Sequence, residues 1–281
     1  MVKCIFTNIK NEHKYLDAWI KYHIKLGFNK FILFEDEGSF SHSSIILQYQ
    51  DIVDIDLYNY VLSNSNEELK DLTCFKYIWE NYTKIDWLIK LDPDEYFVLP
   101  ANFSSIDDYL YSLKPSIKQI YVNYKIFNAN GNIFSPSAEK YNIMNTYTFE
   151  VHPKALNINF NLNKSEHLNC FTGKSLLRYS SFKKNINSKL KDNMIPDDFP
   201  NRLIVTKTIE SKKDNVFINH YLTKSFEEFL YKLKDRGYYK GHEIKMIGDF
   251  FILNPDLIEY VMNLEENFNV NILDFKTKIN N

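Results

Sequence analysis

Trp87-Leu88-Ile89-Lys90-Leu91-Asp92-Pro93-Asp94-Glu95-Tyr96-Phe97 decides how this chain is read. A short apolar run stops at three carboxylates within four residues, and an apolar run resumes behind them. The first run has the length and flanks of a buried strand, so Asp92, Asp94 and Glu95 crowd its tip. Two carboxylates about 4 Å apart repel by about 1 kcal/mol in water and by about 4 kcal/mol at an effective dielectric near 20. Such a cluster at the end of a core strand calls for a cation, and oxygen ligands of this kind suit Mg2+ or Mn2+. The competing reading is a solvated acidic turn.

The flanking sequence weighs against that competitor. Lys3–Asn8 is strand-like. From Lys14 the pattern turns helical, with Tyr15, Trp19, Tyr22 and Leu26 on one face and Gly27 as the stop. Phe28–Phe34 reads as a strand closing on Glu35-Asp36-Glu37-Gly38-Ser39, Ser43–Gln50 as a short helix, and Ile52–Tyr60 as a strand. Glu67–Tyr82 is a helical pattern leading into Trp87–Leu91. This alternation predicts an α/β fold with a doubly wound, mainly parallel sheet. Ligands of such sheets sit outside the carboxyl ends of the strands. Asn8–Glu12, Asp36–Ser39 and Asp92–Glu95 all lie at those ends, so three polar loops are expected around one crevice. Asn11 also suits a helix N-cap, with Glu12 in the first turn.

Beyond the acidic stretch, Ser105–Leu113 reads as a short helix and Gln119–Phe127 as a strand. Residues 128–215 are less regular, with strand candidates at Tyr147–Val151 and Ser175–Tyr179, and are expected to shape the substrate side. Val216–Tyr221 reads as a strand. Ser225-Phe226-Glu227-Glu228 is a capping box that opens a helix to about Arg236, and a terminal helix is expected from Pro255 onward.

Composition bounds the function. The 281 residues are 44% hydrophobic and 16% aromatic, enough for a sizeable core. The formal net charge is −2, so no basic field points to nucleic acid. No apolar run approaches the roughly 20 residues of a membrane span. Met1–Phe6 reads as a first strand rather than a signal peptide, so a cytoplasmic protein, or one peripheral to a membrane, is expected. Cys4, Cys74 and Cys170 lie far apart and read as reduced structural thiols.

Several segments resemble one family. Lys10-Asn11-Glu12 with Leu16 and Trp19, then Tyr22-His23 and Gly27, resembles the opening of family 92 and related family-2-like glycosyltransferases, the DUF23 group. Leu91–Phe97 is similar to their Asp-x-Asp-Glu-Phe. Tyr124–Gly131 is similar to their Trp-x-x-Phe-Gly-x-x-Gly, with Tyr124 for the Trp and Asn128 for the first Gly. Lys174-Ser175-Leu176-Leu177-Arg178 is similar to their Lys-Ser-Ile-Val-Arg. Asn219-His220-Tyr221 with Lys224-Ser225 is similar to their closing His-Tyr-x-x-Lys-Ser. The segments occur in the family's order from residue 3 to about 240, while 132–173 and 180–215 match nothing in it.

The resemblance implies a GT-A (Rossmann-like) fold over a single domain, 1–281. Residues 1–127 would form its nucleotide-sugar half, 128–240 an irregular acceptor-side half with the metal and phosphate motif, and 241–281 a C-terminal helical extension. It implies a nucleotide-sugar donor, a glycan or glycoconjugate acceptor, and Mn2+ (or Mg2+) bridging the diphosphate to the acidic motif. On this reading Asp94 is a direct metal ligand, Asp92 binds metal or ribose, and His220 is the third protein ligand. Glu95, on the opposite face from Asp94 of an extended strand, is supporting or acceptor-facing. Lys224, just before a helix N-terminus, meets phosphate. Thr7, Lys10, Asn11 and Glu12 hold base and ribose, and Asp36 accepts from the base N–H, which favours UDP-sugars. An inverting transferase needs a carboxylate base; Glu150 is preferred, with Glu139, Asp197 and Asp198 as alternatives.

The bland readings are a core or surface His220, a solvated Lys224 and a simple turn acid at Asp36. Rival functions fare worse. A haloacid-dehalogenase-type phosphohydrolase wants Asp-x-Asp-Gly-Thr, where this chain has Glu95-Tyr96. A nucleotidyltransferase wants a glycine-rich loop after the first strand, where this chain has Asn8-Ile9-Lys10-Asn11. A non-catalytic carbohydrate-binding module would use the aromatics but not the carboxylates, His220 and Lys224 together.

Overall fold

The computed structural model describes residues 1–60, 67–136, 142–151, 173–179, 208–210, 216–234, 250–251 and 253–258. The chain divides into two compact units, Met1–Tyr124 with Asn169–His220, and Lys125–Leu168 with Tyr221–Asn281.

The first unit is built on a sheet. Its strands are β1 (Lys3–Ile9), β2 (Lys30–Asp36), β3 (Asp54–Tyr60), β4 (Trp87–Lys90), β5 (Glu95–Val98), the start of β6 (Gln119–Phe127), β8 (Gly173–Arg178), β9 (Thr208–Glu210) and β10 (Phe217–His220). The order is β3-β2-β1-β4-β8-β6-β10-β5, with β9 also paired to β6. Strands β3, β2, β1 and β4 are parallel, which is the doubly wound half that the strand–helix alternation predicts. Strand β8 runs antiparallel to β4 and to β6, and β10 antiparallel to β5. This mixed α/β architecture is consistent with a GT-A-like fold.

Period-two alternation splits the strand side chains between two helical layers. Cys4, Phe6, Ile32, Phe34 and Leu88 pack with Cys74, Phe75, Ile78 and Trp79 of α3 (Glu67–Asn81). Helix α1 (Leu16–Leu26) instead buries Leu16, Trp19, Ile20 and His23, and Trp19 meets Phe31 edge-on at 5.8 Å. The expected apolar face of α1 is thereby corrected: Tyr15, Tyr22 and Leu26 are half-buried, and the seam lies one position around the helix. Gly27 ends α1 in the left-handed region (φ 101°), where a side chain would be strained.

Asn11 does not cap α1. The helix starts after Tyr15, and the Glu12 carbonyl takes the amides of Tyr15 and Leu16, each at 2.9 Å. Asn11 is itself left-handed (φ 53°) and serves a different loop. The expected helix at 43–50 is a short α2 (Ser43–Ile46) running into a 3-10 turn, Leu47–Tyr49. Helix α4 (Ile106–Ser112) is capped by Ser105, whose hydroxyl accepts from the Asp108 amide.

In the second unit the end of β6 pairs antiparallel with β7 (Glu150–Val151) at Ile126 and Phe127. The helix Phe226–Lys234 carries the predicted capping box in full: Ser225 Oγ accepts from the Glu228 amide at 3.2 Å, and the Glu228 carboxylate accepts from the Ser225 amide at 3.2 Å. Phe226, Phe229, Leu230 and Leu233 from that helix pack with Ala129, Ile133, Phe250 and Phe251. Tyr147–Val151 is a strand only at its last two residues, because Ile143–Thr146 forms a helical turn just ahead of it (α5). The helix expected from Pro255 begins as a 3-10 turn, Pro255–Leu257, and its continuation lies outside the described residues.

Two tests follow from the packing of the first unit. His23 is fully buried, with Nδ1 donating to the Trp19 carbonyl at 2.9 Å and Nε2 accepting from the Phe97 amide at 3.3 Å. Only the neutral ring makes both bonds, and burial pushes its pKa down to about 3, against the smaller opposing effect of the Trp19 bond. The unfolded chain binds this proton near pH 6.5, so the contribution is complete above that pH and is lost as pH falls toward about 3, by at most about 1.4 kcal/mol per pH unit. Urea melts across that range should show the slope in the wild type and a flatter profile in His23→Leu. Gly173 sits where an added Cβ would lie 2.0 Å from the Val122 carbonyl oxygen. Gly173→Ala is expected to cost about 1–3 kcal/mol in the same melts, by forcing β8 off β6.

Candidate functional site

Strand polarity assembles the site. Parallel β1, β2 and β4 send their carboxyl ends to one edge of the sheet. Strand β8 runs against β4, so its first residues, Gly173 and Lys174, reach the same edge. Strand β6 runs against β8 and brings Tyr124 there. Strand β10 pairs with β5 so that His220 stands opposite Glu95.

The acidic stretch is a turn, not a continuing strand. The Glu95 amide donates to the Asp92 carbonyl at 2.9 Å, and the Asp92 amide donates to Glu95 Oε2 at 2.9 Å. Asp at the first position and Pro93 at the second suit such a turn, since Pro presets the required φ. The expectation that Asp94 and Glu95 point to opposite faces of an extended chain is therefore corrected. Glu95 is 1% exposed and opens β5. Its carboxylate accepts from Lys174 Nζ at 2.6 Å and from the Tyr124 hydroxyl at 2.7 Å, and its carbonyl accepts from Trp19 Nε1 at 2.8 Å.

Lys174 also reaches Asp92 Oδ2 at 2.7 Å, and Lys90 lies 3.4 Å from Asp92 Oδ1 while pairing closely with Asp71 of α3. Asn8 closes the chain of contacts, donating to Asp71 at 2.7 Å. Acid and base thus alternate from Asp71 through Lys90, Asp92 and Lys174 to Glu95. The consequences for protonation differ across the turn. Burial raises the Glu95 pKa; Lys174 opposes it, Asp92 and Asp94 add to it, and the result is about 7. Burial also acts against the Asp92 carboxylate, but Lys174 and Lys90 outweigh it and hold its pKa well below the usual range. Burial acts against the Lys90 ammonium too, and Asp71 and Asp92 more than compensate, so its pKa is raised.

Asp94 and His220 lie beside this network, with Nε2 3.9 Å from Asp94 Oδ1 and 4.0 Å from Glu95 Oε1. The Tyr124 ring is 4.8 Å from the His220 ring. Carboxylate and imidazole are both acceptable Mn2+ donors. Among the described residues no group of three or more His, Cys, Asp or Glu side chains is set to hold an ion by itself. Asp94 with His220 is a donor pair that fits Mn2+ better than Mg2+, which takes oxygen ligands.

The loops after β1 and β2 are laced together. Asn11 Oδ1 accepts from the Phe40 amide at 2.9 Å, and the Asn11 amide donates to Ser39 Oγ at 3.0 Å. The Glu12 amide donates to His42 Nε2 at 2.8 Å, which leaves Nδ1 to donate to Glu35 at 2.6 Å. His13 stacks on His42 at 4.1 Å. Lys10 and Asp36 stand half-exposed 3.9 Å apart. Thr7 is fully buried within β1, its hydroxyl donating to the Asn8 carbonyl at 3.3 Å.

The remaining predicted residues belong to the second unit or lie outside the described residues. Glu150 is exposed on β7 of the second unit, 3.5 Å from Lys125. Lys224, in the same unit, is buried and left-handed (φ 53°), one residue before the capping Ser225. Glu139, Asp197 and Asp198, together with Cys170, lie outside the described residues. Cys4 and Cys74 are buried thiols. Sequence reasoning missed Asp71, Lys90, Glu35 and His42, because folding and not a local pattern brings Asp71 to Lys90 and His42 to the Glu12 amide. Lys174 and Tyr124 entered only through motif likeness.

No protein-family model matches the chain, and no curated protein sequence does; the family 92 resemblance rests on the motifs quoted above. Among solved structures the chain is similar to TarS residues 1–349 of S. aureus, at 11% identity and a TM-score of 0.45, covering 100% of this chain and 78% of that one. It is also similar to HddC of Yersinia pseudotuberculosis, at 11% identity and a TM-score of 0.38, covering 84% of this chain and 100% of that one. No residue role is carried over from either. Among the described residues no helix is long and apolar enough to cross a membrane.

The Tyr124–Glu95 bond offers a local test. Tyr124→Phe removes a hydrogen bond made to the ionised carboxylate, so the Glu95 pKa should rise above its value of about 7. Carbon-13 NMR titration of the carboxyl groups reads this directly, and an unmoved Glu95 resonance would refute the assignment.

Proposed function

We propose that the chain transfers a sugar from a nucleoside-diphosphate sugar, UDP-sugars first, to a glycan or glycoconjugate acceptor, with inversion. One observation carries the reading: an acidic turn stands at the carboxyl edge of a parallel β3-β2-β1-β4 half-sheet, with His220 delivered opposite Glu95. Ligands of such sheets bind at that edge. A diphosphate and a carboxylate cluster repel each other, and a cation between them supports the pairing.

Asp94 and His220 would hold Mn2+ (or Mg2+), with Asp92 beside them. When bound, the ion would act as a Lewis acid on the leaving diphosphate. The chain's own groups do the rest. Lys174 and Lys90 hold Asp92 ionised and in place. The loops pinned by Asn11 and His42 present Lys10 and Asp36 to ribose and base. Lys224 is the candidate phosphate contact. The acceptor hydroxyl must lose a proton as it attacks, and Glu150 is the candidate base.

A thermal-shift panel tests this with UDP, GDP, CDP, their common sugar conjugates and the free sugars, each with and without Mn2+. One nucleotide class should raise the midpoint only with Mn2+, by about 5 °C at a hundredfold excess over Kd, and Asp94→Ala should abolish the shift. A cooperative melt that no nucleotide moves, or one moved by free sugars without metal, would overturn the transferase reading and favour a carbohydrate-binding module.

A further inference from the structure

Lys174 is 5% exposed, yet it carries an ammonium group between two carboxylates, 2.7 Å from Asp92 Oδ2 and 2.6 Å from Glu95 Oε2. Its place is built. Gly173 lets β8 press on the β6 backbone, where any Cβ would collide with Val122, and the register then sets Lys174 opposite Val122 at the sheet edge. The second oxygen of Glu95 is taken by the Tyr124 hydroxyl, so the carboxylate cannot swing away without losing that bond. Asp92 is further tied to Lys90. An ammonium bridging two carboxylates occupies the position that a divalent ion would otherwise take between them.

We infer that Lys174 is an internal counter-cation of the acidic turn: it fills the charge position between Asp92 and Glu95, shapes the turn before any ion arrives, and confines divalent binding to the Asp94–His220 side. It acts through Asp92 and Glu95 and is therefore a positioning residue. The inference deepens the metal site of the transferase reading and rests on it for biological meaning, but its test does not need that reading to hold. Deleting the lysine charge should improve divalent binding, the reverse of what loss of a merely structural residue would do.

The experiment is Mn2+ titration of wild type, Lys174→Arg and Lys174→Met, followed by the EPR signal of free Mn2+ and by far-UV CD melts. Lys174→Met should bind Mn2+ at least about tenfold more tightly, or take up an additional equivalent, because two ionisable carboxylates lose a cation at contact distance. Lys174→Arg keeps the charge and should stay within about threefold of wild type. A folded Lys174→Met with equal or weaker Mn2+ binding would overturn the inference. If Lys174→Met does not fold without metal, Mn2+ should restore a cooperative melt that K+ at matched ionic strength does not, and failure to do so would also overturn it. A wild type that binds no Mn2+ beside a Lys174→Met that does would leave this inference standing and remove the metal from the transferase reading. Tight wild-type binding with no gain in the variant would do the opposite.

Discussion

A buried carboxylate at the first residue of a strand has to be met on every side, and Glu95 is met by three different strands. Lys174 of β8 and the Tyr124 hydroxyl of β6 reach its carboxylate, and the chain's own Asp92 amide folds back onto it. His220 of β10 stands across from it. Desolvation of an unpaired carboxylate costs several kcal/mol, so displacing β6 or β8 would leave that charge uncompensated. Strand packing and turn geometry are therefore one constraint. The turn that carries Asp94 is held by contacts that the core cannot give up.

That constraint also changes what the acidic motif means. Three carboxylates in four residues suggest an open cage for an ion. In the folded chain Lys174 meets two of them from within, and His220 Nε2 lies 3.9 Å from the third, Asp94. The stretch is better described as an ion-paired turn with Asp94 and His220 beside it. The helix α1 face supports the same turn from behind: Trp19 and Tyr22 donate to the Glu95 and Phe97 carbonyls, and His23 takes the Phe97 amide. Those contacts leave the turn little conformational freedom.

Much of this was legible along the chain because its causes are local. Alternating apolar residues named β1, β2, β4 and β6 to within a residue or two, Gly27 marked the end of α1, and Ser225 with Glu228 announced their helix. The failures share a different cause. Asn11 has every local qualification for an N-cap, yet its side chain bonds to Ser39 and Phe40 of another loop. Asp94 and Glu95 look like strand residues only if Asp92-Pro93 is not allowed its turn. Asp71, Lys90 and Lys174 carry no mark of joining one network, since 19 residues separate the first pair and 82 separate Lys174 from Asp92.

By itself, then, the sequence determined the α/β class, the parallel half-sheet and the edge at which polar loops gather, since periodicity, caps and strand ends depend on neighbours a few residues away. Only the tertiary structure decided which charges meet there. That choice depends on strand order and direction: β8 entering antiparallel beside β4 carries Lys174 to the acidic turn, and β10 pairing with β5 carries His220 to Glu95. No local pattern encodes those pairings, because they arise from which buried surfaces fit together.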